Sequence, residues 1–312
     1  MVCPTGRYNN RRYGEPMLYT RREAGGVLLA ALPALKALGA AGIHSKFAGV
    51  QIGAITYSFG SMKLDDVIQA YVDIGLDEME LMSETAEAAA GFPPDGGAAR
   101  GQEILKWRKS VPMDKFREIR GKANRAGIQI AILCFNMSES ITDDEMDYAF
   151  GLANALGAKA ISTSTKVTVA KRVAPFAEKH KMRIGFHGHD NNTDPNETGS
   201  LESYEKVLSF GKYNAVNLDI GHFTACNYDA VAFIRGHHAR ITNLHLKDRR
   251  KDHGPNTPWG QGDAPIKAVL QLLKQEKYGI PANIEMEYAV PPGSDRVAEV
   301  KKCLAYCKDA LA

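Results

Sequence analysis

Four short runs in the second half of the chain concentrate side chains that bind metal ions or move protons. They are Gly185-Phe186-His187-Gly188-His189-Asp190, Asn217-Leu218-Asp219-Ile220-Gly221-His222, Asn243-Leu244-His245-Leu246-Lys247-Asp248 and Ile284-Glu285-Met286-Glu287-Tyr288. In an extended strand, residues two apart project to the same side, so each run can aim one or two polar groups into a shared space. His187, Asp219, His245 and Glu285, one from each run, make a mixed imidazole and carboxylate set. Such a set suits one divalent ion, manganese first, with zinc, cobalt, iron or magnesium also compatible. A single histidine at a strand end is ordinarily a hydrogen-bonded structural residue. Four convergent candidates reverse that reading, because burying two carboxylates without a cation is expensive.

Other residues surround this set, each with two readings. His189 is either a general base or a support for the ligands, and Glu287 is a further proton carrier. Lys247 either polarises an oxyanion or pairs with Asp248 and Glu287. Glu80 is placed to bind hydroxyl groups of a ligand, or is a surface glutamate. His222 contacts substrate or caps its own loop. Trp259 can stack its indole on the apolar face of a bound ring, or simply pack its loop.

The elements that position these residues follow from hydrophobic periodicity. Apolar or β-branched runs fall at residues 50–59, 78–82, 128–135, 159–163, 183–187, 215–219, 241–246 and 282–287. Between them, segments such as 64–74, 113–126, 143–156 and 203–210 carry apolar residues at three- and four-residue spacing. Eight strands alternating with helices predict a single α/β domain, a closed (β/α)8 TIM barrel over residues 45–312. The last helix is expected to start from Ser294 as its N-cap. Residues 88–101, rich in Gly, Ala and Pro, read as a long loop or lid after the second strand, and 249–263 as an insertion after the seventh. An open doubly wound sheet is the other α/β option, but the sequence has neither G-x-G-x-x-G after its first strand nor G-x-x-x-x-G-K-S/T anywhere. Barrel enzymes build their sites at the C-terminal ends of the strands, where the four polar runs fall.

The formal charge of +3 is unevenly placed. Residues 1–41 hold six basic groups (Arg7, Arg11, Arg12, Arg21, Arg22, Lys36) against Glu15 and Glu23, which leaves the remainder at −1. A near-neutral body offers no general attraction to nucleic acid or to an anionic membrane, so the partner expected is a small molecule; self-association is compatible with this. Residues 1–41 read as an export segment. Arg21-Arg22 is followed by an apolar run from Ala24 to Leu35, too short to span a membrane, and by the small residues Gly39-Ala40-Ala41. It resembles a twin-arginine signal, although Ala24 stands where that signal has a large apolar residue and sixteen residues precede Met17. That places the protein outside the cytoplasm, in the periplasm. The five cysteines show no disulfide or metal spacing.

The succession Asp219-x-x-His222, His245-x-Lys247-Asp248 and Glu285-x-Glu287 resembles the xylose isomerase-like superfamily of TIM barrels, the sugar phosphate isomerases and epimerases. The resemblance covers roughly residues 48–310. It implies metal ligands at Asp219, His245 and Glu285, and chemistry like that of ketose 3-epimerases and inosose dehydratases. On the fifth strand the epimerases carry a glutamate that is both ligand and acid/base, where this chain has His187. That leaves Glu285 as the carried-over carboxylate able to serve as ligand and acid/base, with His189, Glu287 or Lys247 as further proton carriers. The function expected is a metal-dependent isomerase or epimerase acting on a keto-sugar through an enediolate. A lyase or dehydratase and an exported sugar-binding barrel without chemistry are the alternatives. An apurinic-site endonuclease ranks low, since strands two and three lack the extra histidines of its metals and no basic groove is evident.

Overall fold

Alternation along the strands sorts apolar side chains outward and polar ones inward. The computed structural model describes residues 42–92 and 100–312. Its strands are β1 Val50–Ile55, β2 Glu78–Met82, β3 Gln129–Cys134, β4 Ala160–Ser164, β5 Arg183–His187, β6 Asn214–Asp219, β7 Ile241–Leu246 and β8 Ala282–Ile284. Each lies parallel to the next, and β8 pairs with β1 through Ile52–Ala282, Gly53–Asn283 and Ala54–Ile284, closing the barrel. A two-residue strand, Lys46–Phe47, runs antiparallel to the start of β1. The alternate residues Ile184 and Phe186, Val216 and Leu218, and Leu244 and Leu246 pack outward in one apolar cluster with helix residues such as Leu152, Val173, Val207 and Leu304. Among the described residues no helix is long and apolar enough to cross a membrane.

The fold is the predicted barrel, with local differences. The first run is strand only to Ile55 and then tightens into a 3-10 turn, Thr56–Phe59, because Ser58 leaves the ladder to bond β8: its hydroxyl donates to Ile284 O (3.0 Å) and accepts from Met286 N (3.0 Å). The last strand is regular only to Ile284, although Glu285 N still donates to Leu246 O at 3.0 Å. The final helix, Arg296–Leu311, is capped by Asp295, whose carboxylate accepts from Ala298 N, and Ser294 instead donates to Glu299. The expected loop at 88–101 is flanked by helices Ser83–Ala89 and Arg100–Ser110, and residues 93–99 lie outside the described residues. Residues 1–41, expected to be an export segment, also lie outside them.

The barrel interior is unusually polar. A layer from the even strands holds Glu80 (β2), Ser162 (β4), Asn217 (β6) and Asn283 (β8), the four-residue layering expected of alternate strands in such barrels but without the usual branched apolar side chains. Below it, toward the N-terminal end of the barrel, sits Glu78, buried with neither carboxyl oxygen hydrogen-bonded. Only glycine at position 53 leaves it room, since a Cβ there would lie 1.6 Å from Glu78 Oε2. Burial, then Glu80 and Asp77, push the Glu78 carboxyl up to about 8 from 4.5. Between those two values the unfolded chain has given up a proton that the folded chain keeps. Folding stability should therefore fall as pH rises from 4.5 to 8 and flatten above. Replacing Glu78 with Gln should remove this slope, so the variant's melting temperature should gain on the parent's at pH 8 relative to pH 5. Equal differences at both pH values would show that Glu78 is not held protonated.

Candidate metal centre

At the C-terminal mouth a cavity of about 310 Å³ opens over the interior layers. Its floor takes Ile55, Cys134, His187 and His245 from the odd strands. Its walls add Asn136, Ser162, Ser164, His189, His222, Lys247, Glu285 and Glu287, and Tyr57 and Met82 complete the lining. His187, Asp219, His245 and Glu285 each offer one ligand atom, and these atoms all lie within 4.8 Å of one another. All four residues are buried.

Each candidate ligand is oriented by a second contact. His187 Nδ1 lies 3.2 Å from Asn217 Oδ1, so Nδ1 carries the proton and Nε2 presents its lone pair. Asp219 caps the short helix Ile220–Ala225: one oxygen accepts from His222 N at 2.8 Å, and the other faces the centre. The capping geometry also explains the Asp-x-x-His spacing, since it returns His222 to the same mouth. His245 Nε2 lies 2.8 Å from Glu80 Oε2, which turns Nδ1 toward Glu285 Oε2, 3.3 Å away. Gly188 passes so close to Tyr204 that a Cβ would meet its hydroxyl at 1.7 Å; this tight passage brings His189 back to the cavity.

The group fits a divalent cation on two counts. His245 Nδ1 and Asp219 Oδ2 are buried, belong to the four-residue cluster and make no hydrogen bond of sound geometry, only ion-pair contacts to Glu285 Oε2 (3.3 Å) and Lys247 Nζ (2.8 Å). The neighbourhood is also short of positive charge. Four carboxyl groups, Glu80, Asp219, Glu285 and Glu287, surround two basic side chains, Lys247 and His245, a formal excess of two negative charges. Burial and Glu285 push the Asp219 carboxyl upward against the pull of Lys247. Burial also opposes ionisation of Glu285, but Lys247 and His245 overcome it and hold Glu285 well below the ordinary carboxylate range. Burial and Lys247 lower His189, and burial with His245 lowers His187 well below the usual imidazole range, so both rings are neutral near pH 7.

The sequence matches the family described as xylose isomerase-like TIM barrel over residues 68–308. The chain belongs to that family. A search of curated proteins returns no match. Among solved structures, it is similar to a sugar phosphate isomerase/epimerase from Parabacteroides distasonis ATCC 8503, with 18% identity and a TM-score of 0.59, covering 90% of this chain and 99% of that one. It is also similar to an IOLI protein with a bound zinc atom (15% identity, TM-score 0.60, 84% of this chain and 99% of that one). An L-ribulose 3-epimerase gives 13% identity and a TM-score of 0.60, covering 84% of this chain and 94% of that one. At such identities these likenesses show the family barrel itself.

On this family barrel most of the residues singled out in the sequence meet at one mouth, and two do not. Glu80 does not reach the cavity. It is fully buried beneath it, accepting from Ser162 Oγ, Asn243 Nδ2 (2.8 Å), Asn283 Nδ2 (3.0 Å) and Asn217 Nδ2 (3.4 Å) besides meeting His245. Trp259 packs edge-on against Tyr306 of the last helix, with ring centroids 5.7 Å apart. Its loop is folded away by Asp248, whose carboxylate accepts from the backbone N–H groups of Gly260, Gly262 and Ala264. Asp248 is thereby committed to the loop, and Lys247 pairs instead with Asp219 (2.8 Å), Glu285 (2.9 Å) and Glu287 (2.6 Å). The aromatic at the mouth is Tyr57, 48% exposed on the 3-10 turn, which sequence reading had absorbed into the first strand. Asn217, Asn243 and Asn283 were also passed over; their shared inward spacing on neighbouring strands was the available signal.

Burial disfavours a charged His245, but Glu80 and Glu285 on either side hold it well above the usual imidazole range. A metal ion that takes Nδ1 must therefore displace a proton, so affinity should weaken as pH falls through the neutral range. Calorimetric titration with zinc in two buffers of different ionisation enthalpy should show proton release, and Glu80→Gln should weaken binding by about 10–100-fold. Uptake without proton release would contradict this arrangement.

Proposed function

We propose that the chain is a divalent-metal-dependent sugar isomerase or epimerase that acts on a keto-sugar through an enediolate. The observation that carries the reading is the closed set of His187, Asp219, His245 and Glu285, all but Asp219 lining a cavity of about 310 Å³, sized for a small molecule. The family and its sugar isomerase and epimerase likenesses support the same class. These four residues would hold a divalent ion, whose positive charge would polarise a substrate carbonyl and acidify the C–H alpha to it.

The remaining roles belong to the chain's own side chains. Glu285, kept strongly ionised by Lys247 and His245, suits ligation better than proton abstraction. His189 is neutral, half-buried and on the cavity wall, and takes the substrate proton. Glu287, which accepts from Lys247 and from Asn256 Nδ2 (3.2 Å), is the second proton carrier within the cavity. Lys247, 2% exposed and paired with three carboxylates, helps hold Glu285 ionised and supports negative charge on the substrate. Tyr57 presents an aromatic face to the apolar side of a sugar ring at the entrance.

Elemental analysis should find about one equivalent of a divalent ion per chain. Among keto-sugars incubated in deuterated water, the substrate should gain deuterium at the hydroxyl-bearing carbon next to the carbonyl. His189→Asn should lower turnover by about 10²–10⁴ while leaving the metal in place. A metal-free protein that takes up neither manganese nor zinc, or turnover that yields only an elimination product, would sink the proposal.

A further inference from the structure

A phosphate ester carries a charge of about −1.5 to −2 near neutral pH, so the charge already in the cavity decides whether a phosphorylated sugar can enter. Among the described residues, Lys247 is the one Lys or Arg on the lining, and it is paired with Asp219 (2.8 Å), Glu285 (2.9 Å) and Glu287 (2.6 Å). Arg249 stands behind the wall and is turned from it: Nη2 donates to Asp190 Oδ2 (2.8 Å) and Nε to Gly254 O (2.9 Å). Lys247 and Arg249 face the two ring nitrogens of His222 at 3.0 and 2.6 Å, so that ring adds no positive charge. His189, lowered by burial and by Lys247, is neutral too. His187 and His245 are neutral whenever they bind an ion. Lys247 and a divalent ion thus set three positive charges against the four negative charges of Glu80, Asp219, Glu285 and Glu287.

A phosphate would need donors of its own, and the places where TIM barrels commonly keep them are filled. Those places are the loops after the seventh and eighth strands. After β7, the N–H groups of Gly260, Gly262 and Ala264 close on the Asp248 carboxylate at 2.7, 3.0 and 3.2 Å, so the chain supplies its own anion there. After β8, Pro291 and Pro292 have no N–H, and the start of the final helix is capped by Asp295. Across the cavity from Lys247 and Glu285, the ends of β3 and β4 offer Asn136, Ser162 and Ser164, uncharged groups suited to hydroxyls.

We propose that the cavity takes neutral, unphosphorylated sugars and rejects their phosphate esters. Glu287 contributes repulsion at the cavity wall, and Asp248 occupies the backbone donors of the neighbouring loop. That the ligand is a sugar rests on the function proposed above; the exclusion of phosphate does not. With the manganese-loaded protein, matched pairs of a keto-sugar and its terminal phosphate should give a kcat/KM at least about 100-fold higher for the free sugar. Glu287→Gln removes one negative charge, so this ratio should narrow by about tenfold even where turnover itself falls. Inorganic phosphate titrated calorimetrically into the zinc-loaded protein should bind no tighter than about millimolar. Equal or better turnover of the phosphates, an unchanged ratio in Glu287→Gln, or phosphate binding in the micromolar range would overturn the proposal. Should no sugar of either kind turn over, the phosphate titration still decides it, and the proposed function alone fails. Should only the phosphates turn over, the proposed function stands and this inference falls.

Discussion

One carboxylate on the barrel axis organises everything above it. Glu80 is fully buried, and it collects hydrogen bonds from Ser162, Asn217, Asn243, Asn283 and His245, five side chains on four other strands. A buried carboxylate is tolerated only when its oxygens are satisfied, so the inward positions of β4, β6, β7 and β8 are committed to polar residues. That commitment orients the candidate ligands. His245 is fixed by Glu80 directly, and His187 is fixed through Asn217, which bonds both Glu80 and the ring.

Above that layer the question is one of charge. Three carboxylates converge on Lys247, and two of them belong to the four-residue cluster. Removing one partner from a buried ionic group leaves the others uncompensated, so the cluster behaves as a unit and single substitutions within it will not be additive. His245 Nδ1 and Asp219 Oδ2, which make ion-pair contacts but no hydrogen bond of sound geometry, sit at the heart of this unit. Brought together within 4.8 Å in one cluster, they point to a ligand that binds nitrogen and oxygen together.

How much of this was legible in the sequence depended on whether a local rule or a distant partner decided the outcome. The barrel was legible because each strand alternates by its own pattern, as in Gly185-Phe186-His187, where Phe186 faces the helices and His187 the mouth. The four ligand candidates could be picked out because each lies at or within one residue of its strand's end, and Asp219-x-x-His222 because capping fixes a three-residue spacing. Glu80 was misplaced by sequence because nothing local marks it as the centre of the barrel; its partners lie 82 to 203 residues away. Trp259 was misplaced because the course of its loop is set by Asp248, eleven residues earlier, through backbone donors that carry no side-chain signal. Arg249 escaped notice for the same reason: its meaning depends on His222 and Asp190, which reach it from other loops.

The central claim is that one divalent ion is bound by two imidazoles and two carboxylates from β5, β6, β7 and the end of β8. X-ray absorption spectroscopy of the zinc-loaded protein tests it most directly. The account predicts a shell of nitrogen and oxygen at about 2.0–2.2 Å, with outer-shell scattering from two imidazole rings and no sulfur. A sulfur shell near 2.3 Å, or scattering from three imidazoles, would contradict it.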